Sequence, residues 1–233
     1  MLFKKKILPT KPYENLNENL ISDIKDGSLY KAFLSNFKDL ANVNSFMLNT
    51  DGISICDKSN LSIWPVYLAI NEIDIGDRFC IDNIIIAGMC VGHKKPSICE
   101  FFAPIKKELL DLEIGIKIDN KWFQFFLLFG LFDKPARSLI LNINGSNGYF
   151  SCCKCYQKGE SVDYGNGHHV VYLYDPNLIL RNRENYQIDL INRQNGIKGP
   201  SVFNNLKYYH PILSTNIDVM HSVFLGILFL IKY

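Results

Sequence analysis

A run of aromatic and aliphatic residues from Trp122 to Phe132 breaks off at a single carboxylate, Asp133. Too short for a membrane span and bounded by Asp-Lys-Pro, it reads as a central strand buried on both faces. A charge at the end of such a strand is costly unless a cation or a full set of hydrogen bonds meets it. Three strand patterns precede it. NSFMLNTDG, from Asn44, places Phe46 and Leu48 on one face and ends at Asp51-Gly52, where the glycine lets the chain turn. Leu61 to Ile70 is a second, in which Pro65 has no N–H for a ladder and points to an edge strand or a bulge. Ile81 to Val91 is β-branched and apolar. Short turns between the three predict an antiparallel meander.

Helical spacing appears in three places before residue 150. Leu29, Phe33 and Phe37 predict a short packing helix. Ser97 and Glu100 have the form of a capping box, and Ile98, Phe101, Phe102, Ile105, Leu109 and Leu112 follow at helical spacing. Pro104 interrupts that segment, so the regular helix is expected to begin there, with the proline in its first turn. After Asp133, Pro135 and an apolar stripe predict another short helix ending near Asn144-Gly145. Three strands, helix, strand, helix is the order that starts the ribonuclease H-like fold, where the first and fourth strands lie side by side. The expected fold class is therefore α/β with a ribonuclease H-like mixed sheet, and Asp51 and Asp133 are expected to come together although 82 positions separate them.

Past Ser151 the chain turns polar and rich in Asn and Gly, which predicts an irregular insertion. STNIDVMHSVFLGILFLIKY then recovers helical character, with Thr215 as N-cap and Asp218 and His221 on one face. The expected division is a helical flank over 1–40, a core over 41–150, an insertion over 151–210, and a late core helix starting in 211–233. At 233 residues and 48% hydrophobic content the chain suits one large domain, and a net charge of +2 neither demands nor excludes a nucleic-acid partner. No signal peptide is expected, and no apolar run reaches the ~20 residues of a spanning helix, so no membrane role is expected. Lys4 to Lys6 fit part of a nuclear signal.

Two carboxylates at neighbouring strand ends suit a divalent-metal phosphoryl-transfer site, because Mg²⁺ or Mn²⁺ takes hard oxygen ligands. Asp51 and Asp133 are the candidates; Asp51 as an ordinary turn residue and Asp133 as a helix cap are the alternatives. Cys152 and Cys155 form C-x-x-C, half of a zinc site, to be completed by His168, His169 or His221; reduced cysteines on a turn are the alternative. Cys153 is read as a bystander, and His93 and His210 as surface loop residues. Basic positions at Lys94, Lys95 and Arg137 are candidates for phosphate contact.

NTDG at Asn49 to Gly52, the Trp64-Pro65 pair, GHKKP at Gly92 to Pro96, FDKPAR at Phe132 to Arg137, NGYFSCCKCYQKGE from Asn147 to Glu160, and IDVMHSVFLG from Ile217 to Gly226 occur in order along the chain. Together they resemble CACTA-like (En/Spm-type) DDE transposases from about Asp26 onward. The resemblance implies a ribonuclease H-like core with Asp51 and Asp133 as the first two of three acidic ligands, and Mg²⁺ or Mn²⁺ as cofactor. It also implies a zinc-binding insertion at Cys152 and Cys155, DNA as partner, self-association, and a nuclear location, or a cytoplasmic one if the element is inactive. Asp218 and His221 match the D-x-x-H element that precedes the third acid. No Asp or Glu follows Asp218 here, so the expectation is an incomplete catalytic core. The competing expectation is a non-catalytic, zinc-stabilised DNA-binding or interaction protein derived from such an element. A generic ribonuclease H-like nuclease is a third.

Overall fold

A hairpin broken at two residue pairs organises the sheet. The computed structural model describes residues 20–38, 40–55, 61–165 and 167–218. The Asp218–His221 pair therefore extends outside the described residues. Strand β1 (Val43–Thr50) runs antiparallel to β3 (Ser62–Ile70), and the short β2 (Ile53–Ser54) pairs with the same strand. The register that sets Thr50 against Val66 also sets Ile53 against Ile63, so β2 continues β1 past a gap. Asp51 and Gly52 fill that gap, opposite Pro65 and Trp64.

Pro65 was expected at an edge or a bulge. Instead β3 is an interior strand, paired with β1 and β2 on one side and with β4 (Ile84–Gly92) on the other. The ladder toward β1 stops where the proline stands, and Thr50 Oγ1 donates to the Pro65 carbonyl at 2.7 Å. A bulge in the β3–β4 ladder follows one residue later, between Val66 and Tyr67. Gly52 is required for a different reason from turning: a Cβ there would stand 2.5 Å from the Trp64 indole.

The chain's contacts divide it into two units. The first comprises residues up to Leu131 with Asn205–Tyr209, and the second Phe132–Asn204 with the chain from His210 on. In the first, helix α1 (Ser28–Leu34) packs Tyr30 and Phe33 against Val43, Phe126, Leu128 and Phe129. The Phe33 ring sits edge-on to Phe126 at 5.7 Å and to Tyr208 at 4.9 Å, arrangements that add to plain apolar burial. After β3, a four-residue helix α2 (Ile75–Arg78) carries Arg78 inward, where both its terminal nitrogens donate to Asp23 at 2.8 and 2.7 Å. Burial alone would raise the Asp23 carboxyl, but the bonds and charge of Arg78 hold it below its ordinary value.

Helix α3 (Ile98–Ile114) begins six residues before Pro104 rather than at it. Ser97 occupies the N-cap position but makes no side-chain cap bond. The helix tolerates the proline because Pro104 and Glu100, whose carbonyl loses its partner, are both exposed, while Phe102, Ile105 and Leu109 on the opposite stripe are buried. Ile105 packs so closely on β4 that a Cβ on Gly88 would lie 2.9 Å from its Cδ1.

Strand β5 (Ile116–Ile118) and β6 (Lys121–Phe132) form a hairpin that the sequence reading did not anticipate. Its two-residue turn, Asp119-Asn120, has φ of 46° and 63°, the left-handed pair that suits tight hairpins. β6 then runs parallel to β1, from Val43 opposite Gln124 to Asn49 opposite Leu131, with one bulge between Phe46 and Met47. Residues Phe125 to Gly130 are all buried, as expected of a strand covered on both faces. The sheet order is β2-β3-β1-β6-β5, with β4 on β3, so parallel and antiparallel pairs mix in one α/β sheet.

In the second unit, helix α4 (Lys134–Leu141) starts from Asp133 and stops at Asn142, whose φ of 53° ends it sooner than the Asn144-Gly145 expected. A hairpin of β7 (Glu160–Tyr164) and β8 (Gly167–Val171) and a helix α5 (Arg183–Asn192) follow, so the segment read as irregular carries regular elements. Thr215, expected to cap a helix, instead opens the three-residue strand β9 (Thr215–Ile217). Among the described residues no helix is long and apolar enough to cross a membrane.

Candidate functional site

Asn49 and Leu131 are register partners at the last pair of the parallel β1–β6 ladder, and Asn49 Nδ2 donates to the Leu131 carbonyl at 2.8 Å. Each lies two residues before a candidate carboxylate. Asp51 occupies the break in the hairpin and is half-buried. Asp133 is the N-cap of α4: its Oδ1 accepts from Ala136 N–H at 2.7 Å, which fixes the carboxylate at the positive end of the helix. The capping alternative for Asp133 is thus realised, and it is compatible with a metal ligand because a carboxylate has two oxygens and about four lone-pair sites.

Cys152 and Cys155 share a turn in the second unit with a physical anchor, Arg181. Its Nε donates to the carbonyls of Cys152 and Cys155 at 3.1 and 3.0 Å, and its Nη2 to the Asn195 carbonyl at 2.6 Å. Nη1 meets Asp189 Oδ2 at 3.2 Å, and that carboxylate also accepts from Tyr156 OH, Gln194 and Asn195. Arg181 and Asp189 are 5% and 2% exposed, so this is a buried charge pair with its hydrogen bonds filled. Burial and the bond to Asp189 push the Tyr156 hydroxyl up to about 12. Burial likewise raises the Cys153 and Cys155 thiols and lowers the Lys154 ammonium, which donates to the Ile212 carbonyl at 2.6 Å.

The structure brings together only part of the donor set expected for zinc. Two thiols stand on one turn, but among the described residues no group of three or more His, Cys, Asp or Glu side chains is gathered to hold a metal ion. His168 and His169 sit on the exposed β8, where His168 Nδ1 contacts Asp163 at 2.7 Å. His221 lies outside the described residues. His210 is not the surface residue expected: it is 7% exposed, its Nδ1 accepts from the backbone N–H groups of Ile212 and Leu213, and burial lowers it to about 4.

Of the basic candidates, Lys94 and Lys95 are exposed on the segment after β4, with Lys95 Nζ 6.0 Å from the Trp64 ring. Arg137 lines a cavity of about 320 Å³ in the second unit, together with Lys134, Ser146, Ser151, Cys152 and Cys155, among others. The Arg137 Nη1 is buried and, among the described residues, has no hydrogen-bond partner. Sequence reasoning missed Lys134 as a partner of Arg137. The signal was present: at i and i+3 on one helix the two are surface neighbours. Arg181 gave no such signal, since its partners are mostly backbone carbonyls.

No protein-family model matches the chain, and no curated protein and no solved structure matches it significantly.

Proposed function

We propose that this chain carries the catalytic-core part of a DDE-type DNA transposase of the CACTA-like (En/Spm-type) group, with Asp51 and Asp133 as metal ligands. The observation that carries the reading is the parallel pairing of β1 with β6 in the middle of a mixed sheet. The meander β1-β3-β4, the crossover through α3 and the return as β6 beside β1 agree with the strand order of a ribonuclease H-like core. The ladder ends at Asn49 and Leu131, and a carboxylate follows each by two residues.

Two aspartates supply the hard oxygen donors that Mg²⁺ or Mn²⁺ prefers, so the donor chemistry fits. When bound, such ions stabilise the attacking and leaving oxygens of an in-line displacement at a DNA phosphate. The chain's own contribution is to hold the carboxylates. Asp133 is oriented by Ala136 N–H and Asp51 is set by the hairpin break at Pro65, while Lys94, Lys95 and Arg137 attract the DNA backbone without reading sequence. In the same reading Cys152, Cys155 and His221 hold zinc as a structural ion, and the protein works in the nucleus.

Mn²⁺ binding followed by electron paramagnetic resonance tests the metal assignment. Asp51→Asn and Asp133→Asn are each expected to weaken it about tenfold or more; affinity unchanged in both would overturn it. This chain lacks the third acid expected of such a core, so DNA nicking is measured with a longer version that supplies it. Mn²⁺-dependent nicking by that version, lost in both variants, supports the transferase, whereas DNA binding without nicking supports the non-catalytic, zinc-stabilised DNA-binding protein. Zinc content that is unaffected by Cys152→Ser would remove the zinc ion from either.

A further inference from the structure

The geometry points to a phosphate-binding pocket in the second unit, formed by Lys134 and Arg137 at the start of α4 with the hydroxyl of Ser146. Its volume, about 320 Å³, is at the lower end of the roughly 300–1,000 Å³ of small-ligand sites, so its occupant is small or only a group of something larger. Among the described residues that line it, both charged side chains are cations and none is an aspartate or glutamate. Arg137 lines the cavity, and its Nη1 is buried with no acceptor among the described residues, so the guanidinium lacks a neutralising partner that an oxyanion in the cavity would supply.

The other polar groups are largely committed elsewhere. Ser138 Oγ donates to the Pro135 carbonyl, Asn144 Nδ2 to Tyr149, and Ser151 shares its hydroxyl with Tyr172, which itself donates to the Gly148 carbonyl. Gln157 Nε2 donates to the Leu173 carbonyl, and beside the thiols of Cys152 and Cys155 what remains for an occupant is a planar guanidinium fork, an ammonium and one hydroxyl. That set suits the tetrahedral oxygens of a phosphate group, since arginine recognises phosphate with two parallel bonds and lysine adds a point charge. The donors do not include the Asp51 and Asp133 carboxylates, so phosphate binding at this pocket needs no divalent ion. Identifying the phosphate as part of a DNA backbone rests on the transposase reading; binding of phosphate itself does not.

The test uses the full 233-residue chain in buffer without added Mg²⁺ or Mn²⁺, with binding of inorganic phosphate measured by calorimetry and ³¹P relaxation. Lys134→Ala and Arg137→Gln are each expected to weaken phosphate about tenfold. Lys107→Ala, on the exposed side of α3, should leave it unchanged. Lys134 is exposed, so its truncation keeps the test valid even if Arg137→Gln fails to fold, and circular dichroism reports which variants remain folded. A short DNA duplex that displaces phosphate assigns the pocket to the nucleic-acid backbone, whereas phosphate binding without displacement assigns it to a free phosphate or a phosphomonoester. No phosphate binding by the wild type, or binding that is equal in Lys134→Ala, overturns the proposal. Because Mn²⁺ binding at Asp51 and Asp133 is measured separately, either assignment can fail while the other stands.

Discussion

The side-chain amide of Asn49 donates to the backbone carbonyl of Leu131 at 2.8 Å, joining the two parallel strands at their last register pair. Strand ends fray unless something holds them, and here the tie lies two residues before each candidate carboxylate. Asn49→Ala should cost about 1 kcal/mol in denaturant unfolding, the usual worth of one intramolecular hydrogen bond. It should also weaken Mn²⁺ binding although no proposed ligand is removed. Stability that drops with metal affinity unchanged would show that the tie holds the sheet and not the site.

Gly52 has the Trp64 indole where its Cβ would be. Gly52→Ala therefore forces the ring or the hairpin to move and should destabilise by roughly 1–3 kcal/mol, in the manner of overpacked sites. Combining it with Trp64→Leu removes the obstacle, so the double variant should lose less than the sum of the two single changes. Additive losses in thermal unfolding would locate the strain elsewhere.

His210 titrates at about 4 because it is buried, below the ~6.5 of an exposed imidazole. The unfolded chain then binds more protons between those values, so this residue's contribution to stability is present above about pH 6.5 and lost as pH falls toward 4. Stability should fall by about 1–2 kcal/mol between pH 7 and pH 5 from this group. His210→Asn, whose side-chain oxygen can accept the Ile212 and Leu213 N–H bonds, should flatten that part of the profile; an unchanged slope would assign the pH dependence to other groups.

Arg181→Met breaks a buried charge pair on one side and leaves Asp189 without its cation, a change expected to cost about 3 kcal/mol. It also releases the carbonyls of Cys152 and Cys155. Cys155, 5% exposed in the folded protein, should then react faster with a maleimide under native conditions. Unaltered reactivity would mean that the thiol turn is held without the arginine.

Elements with long apolar runs were legible in the sequence: β6 and its terminal Asp133 follow from a stretch of mostly apolar residues, β1 from Phe46 and Leu48 on one face, β3 from the apolar segment around Trp64 to Ile70, and β4 from a β-branched segment. Prolines misled in both directions. Pro65 pointed to an edge or a bulge; its strand is interior, and the break at Asp51 on one neighbour with the bulge at Val66–Tyr67 toward the other accommodates it. Pro104 looked like a helix start, yet α3 runs through it because the carbonyl left without a partner is on the solvent side. The β5–β6 hairpin was missed because three strand residues and an Asp-Asn turn are too short to show a period. Within the second unit the C-x-x-C pair was visible, but Arg181 and His210 were not, since charge and loop position argue for the surface. Their burial depends on partners that come together only in the folded chain.

The type of pairing in the sheet also sets the tempo of its assembly. β5 and β6 close across a two-residue turn, whereas the β1–β6 ladder joins positions as far apart as Asn49 and Leu131, 82 residues along the chain. Closing that loop must be accomplished before any of its contacts stabilise it, so the hairpin is an early event and the parallel ladder a late one. Until then the apolar length of β6 is without its neighbour, and it is during this interval that the newly made chain is most exposed to aggregation and most dependent on chaperones.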